Sequence, residues 1–350
     1  MTPAPRILIR TDATPAIGMG HLSRCLTLAA ALIARGAAVE LVMAEPSAVA
    51  AAKVAAAGAG LRPLPGGLPL AEDLAQTIEI IAMIGAAGAV LDGYQFDQAF
   101  LDGLSAAAPL LFFDELGEFN FACALVLNQN VHANDLAYRA GAETRLLLGP
   151  RYAVLRPEFA AARPAQRSHP DQAMRLFLNF GGSDPHDLTS RALAGLAASP
   201  RRYEIRAVLG GENRHAQAVL ALAAESPHRV EVLRDVADMT AVMNWAHLAL
   251  SASGTNTTLE MGCLGLPMIA VIQAENQRLI GEALGRQGLA AQLGFWSGVS
   301  GRDMAAAVDA LAGDARRRRA MSAAAMAAVD GLGAGRVAEA LLAACAGAGR

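Results

Sequence analysis

Short apolar runs alternate with helical patterns twice along this chain, and this alternation restricts the possible folds more than any other feature. The first series places strands at 6–12, 39–44, 89–92 and 110–114, with helices at about 20–35, 46–58 and 71–87. Strands that alternate with helices of this length are typical of βαβ units, which build parallel sheets. The first series therefore predicts a doubly wound α/β domain.

A proline-rich segment interrupts the alternation between about 150 and 172. Little apolar periodicity surrounds its prolines, and such a break is typical of a domain boundary. A second series follows, with strands near 174–180, 203–209, 229–234, 247–251 and 267–272. We therefore predict two Rossmann-like domains, residues 1–155 and 156–350, and an alanine-rich C-terminal helix that could pack on either one.

Composition and charge agree with two α/β cores. The 350 residues exceed the usual size of a single core, and the hydrophobic content of 54% includes few aromatic residues. A formal net charge of −3 disfavours a nucleic-acid partner, because backbone phosphates require clustered basic residues. The one conspicuous basic run, Arg316–Arg319, is interpreted as a solvated helix face.

The cysteines and the known metal motifs predict neither disulfides nor a metal site. Cys25, Cys123, Cys263 and Cys345 are scattered without a C-x-x-C pair, which is typical of a reducing cytoplasm. No D-x-D or H-E-x-x-H motif occurs, so we expect no metal and no cofactor. No stretch has the pattern of a membrane span. The expectation is a cytoplasmic, monomeric protein without a membrane span.

A loop of glycine and histidine follows the first strand. The strand Arg6–Asp12 leads to Gly18-Met19-Gly20-His21 and then directly into a helix. Backbone amides and an imidazole are thereby expected at the carboxyl end of a parallel strand, where open α/β sheets bind ligands. A dinucleotide fingerprint would require glycine at Ser23, so an NAD site is weakly supported. By itself, His21 is more simply interpreted as a cap or core residue.

A second loop, Gly181-Gly182-Ser183-Asp184-Pro185, follows a strand of the second domain. Asp184 and Pro185 predict an ordinary helix N-cap followed by the first helical residue. Capping does not require the paired glycines, which would allow a ligand to approach the backbone closely. Both interpretations remain open from this segment alone.

A third loop, Ser253-Gly254-Thr255-Asn256, lies between another apolar strand and a helix. Its hydroxyls and amides could face an anion at the helix terminus. Glu260, one turn later, either bridges vicinal ribose hydroxyls or is an exposed helix residue. Further polar groups at Gln273–Gln277 are expected on the same sheet edge. A diphosphate would have to be neutralised by these amides and helix termini, because no basic surface is available.

Several motifs in order resemble one enzyme family. They are Arg10-Thr11-Asp12, Ile17–Arg24, Leu91–Tyr94, Leu148–Phe159, Phe180–Pro185 and Ala274–Gln277. Together, over residues 6 to about 285, they resemble the PseG family, the nucleotide-sugar hydrolases of pseudaminic acid biosynthesis. The ordered combination is specific, although no single motif is.

The resemblance implies a MurG-like GT-B fold, with two Rossmann-like, doubly wound parallel-sheet domains facing a cleft. By similarity, His21 is the catalytic residue, and the second domain binds UDP. The residues predicted to bind the sugar are Asp12, Gly18, Gly20, Arg24, Tyr94, Asn276 and Gln277. Those predicted to bind UDP are Gly181, Gly182, Ser183, Ser253, Gly254, Thr255, Asn256 and Glu260.

The implied reaction is hydrolysis of UDP-2,4-diacetamido-2,4,6-trideoxy-β-L-altropyranose. Water would attack the anomeric carbon with His21 as general base, in a step of pseudaminic acid biosynthesis for flagellin or surface glycan. Two departures from the family weaken the prediction of the sugar: Asp114-Glu115 replaces paired aspartates, and the third loop has Ser-Gly instead of Gly-Gly. The alternatives are a MurG-like UDP-sugar glycosyltransferase and a non-catalytic nucleotide-sugar-binding protein.

Overall fold

The chain divides into two compact units in a computed structural model that describes residues 4–13, 19–211 and 213–348. The first unit comprises Met1–Arg156 together with Gly331–Arg350, and the second comprises Pro157–Asp330. Gly18 of the predicted histidine loop lies outside the described residues.

Fifteen strands are present in the described residues, and every strand pair is parallel. Those of the first unit are β1 (Arg6–Thr11), β2 (Ala38–Ala44), β3 (Gly60–Leu64), β4 (Gly88–Asp92), β5 (Leu110–Phe113), β6 (Asn120–Phe121), β7 (Leu125–Asn128), β8 (Arg139–Ala140) and β9 (Arg145–Leu148). Those of the second are β10 (Arg175–Asn179), β11 (Glu204–Leu209), β12 (Arg229–Arg234), β13 (Leu248–Ala252), β14 (Met268–Ile272) and β15 (Ala290–Phe295).

The α-helices alternate with these strands. In chain order they are α1 (Gly20–Ile33), α2 (Ala48–Ala56), α3 (Leu70–Ile84), α4 (Gln98–Ala107), α5 (Pro157–Ala161), α6 (Leu188–Leu196), α7 (Ala216–Glu225), α8 (Met239–Trp245), α9 (Thr255–Cys263), α10 (Arg278–Arg286), α11 (Gly301–Ala312), α12 (Ala315–Ala328) and α13 (Gly333–Ala348).

The main sheet of the first unit has the order β3-β2-β1-β4-β5-β7-β9, while β6 and β8 form a separate pair. Its central strand is buried on both faces: Ile7 and Ile9 pack with α1 and α13, and Leu8 packs with α3 and α4. Helices on both faces explain the continuous apolar run of the strand. The strand order reverses between β1 and β4, and in folds of this kind the crevice that binds ligands lies at the carboxyl ends of the two strands where the order reverses.

The sheet of the second unit has the order β12-β11-β10-β13-β14-β15. The order again reverses at the centre, here between β10 and β13, so the loops that follow these two strands flank a second crevice. The prediction of two doubly wound parallel sheets is confirmed.

The C-terminal helix, whose packing partner the sequence left open, packs on the first unit. Val337, Ala338 and Leu341 of α13 are buried in the core that also contains α1. These small and branched side chains form the apolar stripe that anchors the helix.

The Arg316–Arg319 run is only partly a solvated helix face, because Arg318 is fully buried. Its guanidinium donates to the carbonyls of Leu311 and Ala312, 2.5 and 2.6 Å away, and to that of Pro170. The last carbonyls of a helix have no partner within the helix, and Arg318 satisfies those of α11.

The predicted cap at Asp184 is also corrected. Helix α6 begins at Leu188, three residues after the proline, and Asp187 with a φ of 51° is its N-cap residue. Asp184 still serves the helix, because its two carboxylate oxygens accept from the amides of Leu188 and Thr189, each at 2.9 Å. A turn therefore separates the strand from the helix, and Pro185 lies within that turn.

Candidate active site

His21 lies in the first turn of α1, where it meets the end of β4. Its Nδ1 is 2.7 Å from Oδ1 of Asp92, and the imidazole is buried. Asp92 is the last residue of β4 and pairs with Thr11 at the end of β1, so the parallel register places it at the carboxyl edge of the sheet. The crevice of the first sheet thus contains an imidazole and carboxylate pair.

The position of the imidazole proton follows from the state of Asp92. Complete burial favours the protonated acid, but the charge and hydrogen bonds of Arg24 outweigh it and lower the pKa of Asp92 to about 2. At neutral pH this carboxylate can only accept, so Nδ1 of His21 carries a proton, and in the neutral form of the imidazole the lone pair is on Nε2. Arg24 Nη2, 3.0 Å from Nδ1, donates to Asp92 Oδ1 instead, at 2.6 Å.

Arg24 joins two carboxylates behind the histidine. Its Nε and Nη2 bind Asp92, each at 2.6 Å, and its Nη1 binds Glu115 Oε1 at 2.5 Å. The guanidinium is buried and lies 4.9 Å from the centre of the Phe113 ring. Bidentate binding of this kind fixes geometry as well as charge. Sugar contact by Arg24 stays a prediction, and its visible role is to hold Asp92 and Glu115.

Tyr94 stands beside His21 and binds the second of these carboxylates. Its hydroxyl donates to Glu115 Oε2, and its ring meets the imidazole edge-on with centroids 4.8 Å apart. The phenol is otherwise about half exposed, with a relative exposure of 54%. Tyr94 therefore lies beside His21, and its contact with a sugar stays a prediction.

A cavity of about 190 Å³ opens at these residues. Phe96, Phe112 and Phe119 contribute apolar walls, whereas His21 and Glu115 contribute polar ones. A small cavity with apolar walls and a few convergent polar groups is typical of a small-molecule site.

Asp12 directly follows β1, and Gly20 is the first residue of α1. Asp12 is buried, with Oδ1 accepting from Arg10 and the Ala44 amide at 2.6 and 2.7 Å, and Oδ2 accepting from Gln95 at 2.8 Å. Both of its oxygens are thus bound by groups of the protein, and a contact with ligand remains a prediction. Gly20 is exposed, and a Cβ there would meet nothing within 4 Å, so the described surroundings leave room for a ligand.

In the second unit, the loop after β10 exposes its glycines. Gly181 has a φ of 82°, a conformation that strongly favours glycine, and Gly182 and Ser183 are exposed. The carbonyl of Gly182 accepts from the Gly210 amide at 3.1 Å, and a Cβ on Gly210 would approach that oxygen to 2.5 Å. Gly181 and Gly182 therefore shape the backbone of the loop and leave its outer side accessible.

The N-terminus of α9 is less fully capped by side chains than that of α6. Gly254 is its N-cap residue, and within the described chain no side chain caps the helix, whereas Asp184 closes the N-terminus of α6. The first amides of α9, at Thr255 and Asn256, and the helix dipole favour a negative group there. Ser253 is buried just before them, and its Oγ accepts from Gln292 at 3.2 Å.

The remaining predicted residues lie on α9 and after β14. Glu260 is half-buried on α9, while Asn276 is exposed in the 3₁₀ turn Glu275–Gln277. Gln277 accepts from the Gln273 amide at 3.0 Å, which folds its side chain back towards Gly254. The predicted nucleotide residues are thus grouped along one sheet edge, and their binding of UDP stays a prediction.

Sequence reasoning missed the roles of Asp92 and Glu115. Asp92 was part of a motif but had no assigned role, although a buried aspartate at the end of an apolar strand is a signal in itself. Glu115 follows the next strand of the sheet, and only the strand order brings it to Arg24. Within the described residues, no group of three or more His, Cys, Asp and Glu side chains is arranged to hold a metal ion.

Two doubly wound parallel-sheet units define a fold of the GT-B type. MurG of Acinetobacter baumannii has this fold over 97% of this chain and 99% of its own, with a TM-score of 0.73 and 13% identity. LpCGTa, solved in complex with UDP, matches over 98% of this chain and 99% of its own, with a TM-score of 0.64 and 16% identity. Identities this low show the fold alone.

Sequence comparison gives a closer relation for part of the chain. Residues 177–332 match the glycosyltransferase family 28 C-terminal domain. The spore coat polysaccharide biosynthesis protein SpsG of Bacillus subtilis is 30% identical over 154 residues, which are 43% of this chain and 44% of SpsG. An uncharacterised protein of Methanocaldococcus jannaschii is 24% identical over 198 residues, 54% of this chain and 41% of its own. The matched regions span less than half the length of these relatives.

No helix in the described ranges combines the length and the apolar character required to cross a bilayer.

Proposed function

We propose that this protein is an enzyme that hydrolyses UDP-2,4-diacetamido-2,4,6-trideoxy-β-L-altropyranose and releases UDP. The observation that carries the proposal is the His21–Asp92 pair at the crevice of the first sheet, with the lone pair of the imidazole on Nε2. A neutral imidazole held by a buried carboxylate is equipped to take a proton from water. In this proposal, Tyr94 lines the sugar site.

In the proposed reaction, water attacks the anomeric carbon while Nε2 of His21 takes one of its protons. The bond between that carbon and the diphosphate oxygen breaks, and its electrons leave with UDP. Asp92 stabilises the imidazolium that forms. Because a single displacement occurs, the configuration at the anomeric carbon is inverted.

The second unit is proposed to bind UDP. The match to the glycosyltransferase family 28 C-terminal domain covers its sheet and the loops after β10 and β13. The open N-terminus of α9 would stabilise the diphosphate charge, and Glu260 would accept from the ribose hydroxyls. A UDP-bound structure of the same fold supports this assignment.

The proposed place of the reaction is pseudaminic acid biosynthesis for flagellin or surface glycan, as the motif resemblance implies. SpsG, by its name, acts in the biosynthesis of another surface polysaccharide. We propose a cytoplasmic monomer that requires no metal or cofactor.

A UDP-sugar glycosyltransferase is the second candidate, because the family matched by residues 177–332 is one of glycosyltransferases. The two reactions use the same donor and differ in the group that attacks the anomeric carbon. A transferase requires an acceptor hydroxyl, whereas a hydrolase requires only water.

The deciding experiment incubates the purified chain with a panel of UDP-diacetamido sugars in ¹⁸O-labelled water. We expect UDP release without any acceptor, and label in the free sugar. Label in UDP would instead show attack at phosphorus. UDP release that depends on an added acceptor would identify a transferase, and UDP binding without turnover would identify a non-catalytic binding protein.

The matched controls are two histidine variants. His21→Ala should lower turnover by about 10² to 10⁴ while UDP binding persists. His215→Ala, in the half-buried turn before α7, should leave turnover unchanged. Equal turnover in both variants would reject His21 as the base.

A further inference from the structure

Glu115 divides its two carboxylate oxygens between two partners of the His21 cluster. Oε1 accepts from Arg24 Nη1 at 2.5 Å, and Oε2 accepts from the Tyr94 hydroxyl. Two hydrogen bonds hold the loop that carries Glu115. The backbone carbonyl oxygen of Glu115 lies 2.9 Å from His132 Nε2, and Asp114 accepts from the Gly117 amide at 2.9 Å. Glu115 is itself buried, so its carboxylate has a defined position.

The hydrogen bond from Tyr94 to Glu115 determines whether the Tyr94 hydroxyl donates to a ligand or accepts from it. A phenol has one proton, and a carboxylate paired with arginine can only accept it. Any further group that reaches the Tyr94 oxygen must therefore donate to it. The same holds for Nε2 of His21, because Nδ1 carries the only proton of the neutral ring.

The charges of Arg24, Asp92 and Glu115 also bear on how the site stabilises a protonated His21. Arg24 contributes one positive charge, and Asp92 and Glu115 contribute two negative charges, so the group has an excess negative charge while His21 is neutral. Protonation of His21 makes the group neutral overall. Glu115 thus supplies a charge that favours the imidazolium formed during proton transfer.

We propose that Glu115 is a positioning residue that makes Tyr94 a hydrogen-bond acceptor towards the ligand, so that the site selects a sugar that presents a donor, a hydroxyl or an amide N–H, to Tyr94. This inference rests on the proposed function, because it takes the ligand to be a nucleotide sugar. It adds a specificity that neither the fold nor the sequence motifs assign.

The substitution Glu115→Gln tests the direction of the bond directly. Arg24 can only donate, so it will bind the oxygen of the introduced amide and turn the NH₂ group towards Tyr94. The phenol must then accept from that NH₂ group, and its own proton becomes available to the ligand. The variant should therefore reverse the polarity of Tyr94 without a large change of shape.

Dissociation constants measured by calorimetry provide the test. The probes are UDP-2,4-diacetamido-2,4,6-trideoxyhexose and two analogues in which fluorine, which cannot donate, replaces the acetamido group at C2 or C4. Wild type should bind one analogue about 10- to 100-fold more weakly than the parent sugar, as expected for a lost hydrogen bond. Glu115→Gln should reduce this ratio to about threefold or less. Glu143→Gln, an exposed glutamate that does not line this cavity, should keep the wild-type ratio.

Two further measurements keep the outcome interpretable. Tyr94→Phe removes the hydroxyl and leaves Arg24 paired, so it should also abolish the preference for the acetamido sugar over its fluorine analogue. This variant tests the inference if Glu115→Gln fails to fold. In turnover assays, Glu115→Gln should move the acidic limb of the pH–rate profile to lower pH, because the imidazolium loses a stabilising charge. A merely structural role would leave that limb in place.

Equal fluorine-to-acetamido ratios in wild type, Glu115→Gln and Tyr94→Phe would overturn the inference. Absence of UDP release by wild type would instead count against the proposed hydrolysis, and the binding ratios would still test the role of Glu115.

Discussion

Substitution of Gly254 by aspartate should raise stability and abolish UDP binding at once. The backbone of Gly254 has a φ of −70° and a ψ of 141°, which any residue adopts and which N-cap residues prefer. A Cβ at this position would meet only Gln277 Nε2, at an ordinary 3.8 Å. The new carboxylate can therefore accept from the first amides of α9, the groups that we propose bind the diphosphate.

Both effects can be given a magnitude. Aspartate caps a helix better than glycine by a few tenths of a kcal/mol, and its charge at the N-terminus adds about 0.3 to 1 kcal/mol. Against a diphosphate, a carboxylate about 4 Å away costs on the order of 4 kcal/mol per charge at an effective dielectric constant near 20. Screening reduces this cost, and a loss of UDP affinity of 100-fold or more is expected.

The assay combines calorimetric titration of UDP with urea unfolding of the same samples. Gly254→Asn caps the helix without charge, and Gly254→Ala adds only the Cβ. The alanine variant should bind UDP within a few-fold of wild type, the asparagine variant moderately less, and the aspartate variant least. Wild-type UDP affinity in a folded Gly254→Asp protein would refute the placement of the diphosphate at α9. Because stability and binding should change in opposite directions, loss of folding cannot imitate the result.

Three further predictions concern buried carboxylates. Asp92→Asn removes the charge that stabilises the His21 imidazolium, so the rate of UDP release should fall by about 10² to 10⁴ with UDP affinity retained. The control Asp97→Asn, at the exposed N-cap of α4, should behave as wild type. Asp184→Ala removes two hydrogen bonds at the start of α6 and should lower the free energy of unfolding by about 1 to 2 kcal/mol in urea titrations. An unchanged free energy of unfolding would contradict this role of Asp184. Burial, opposed by backbone hydrogen bonds, raises the pKa of Asp114 from 3.8 to about 6. The folded-state pKa lies above the unfolded one, so stability should decline by up to roughly 3 kcal/mol as pH rises from about 4 to 6. In Asp114→Asn, the free energy of unfolding should change less over this pH interval. The same slope as in wild type would exclude Asp114 as the cause of the decline.

Local patterns in the sequence were sufficient for the elements that build each sheet centre. Strand Arg6–Thr11 and helix Gly20–Ile33 agree with the predicted 6–12 and 20–35, because continuous burial of a strand and one apolar helix face are visible within a few residues. The missed elements have weaker patterns. Strand β3 is short and contains Arg62 and Pro63, and most of it is only partly buried, as suits an edge strand.

The sequence by itself determined that the His21 segment and the Gly254 loop each join a strand to the start of a helix, and hence that both lie at the carboxyl edges of their sheets, the edge at which open α/β sheets bind ligands. Tertiary structure alone decided their partners. Asp92 and Glu115 lie 71 and 91 residues from the side chains that they bind, and strand order and register bring them there. The buried Arg318 and the packing of α13 on the first unit have the same origin. Periodicity records which face of an element is buried, but it contains no information about which distant segment covers that face.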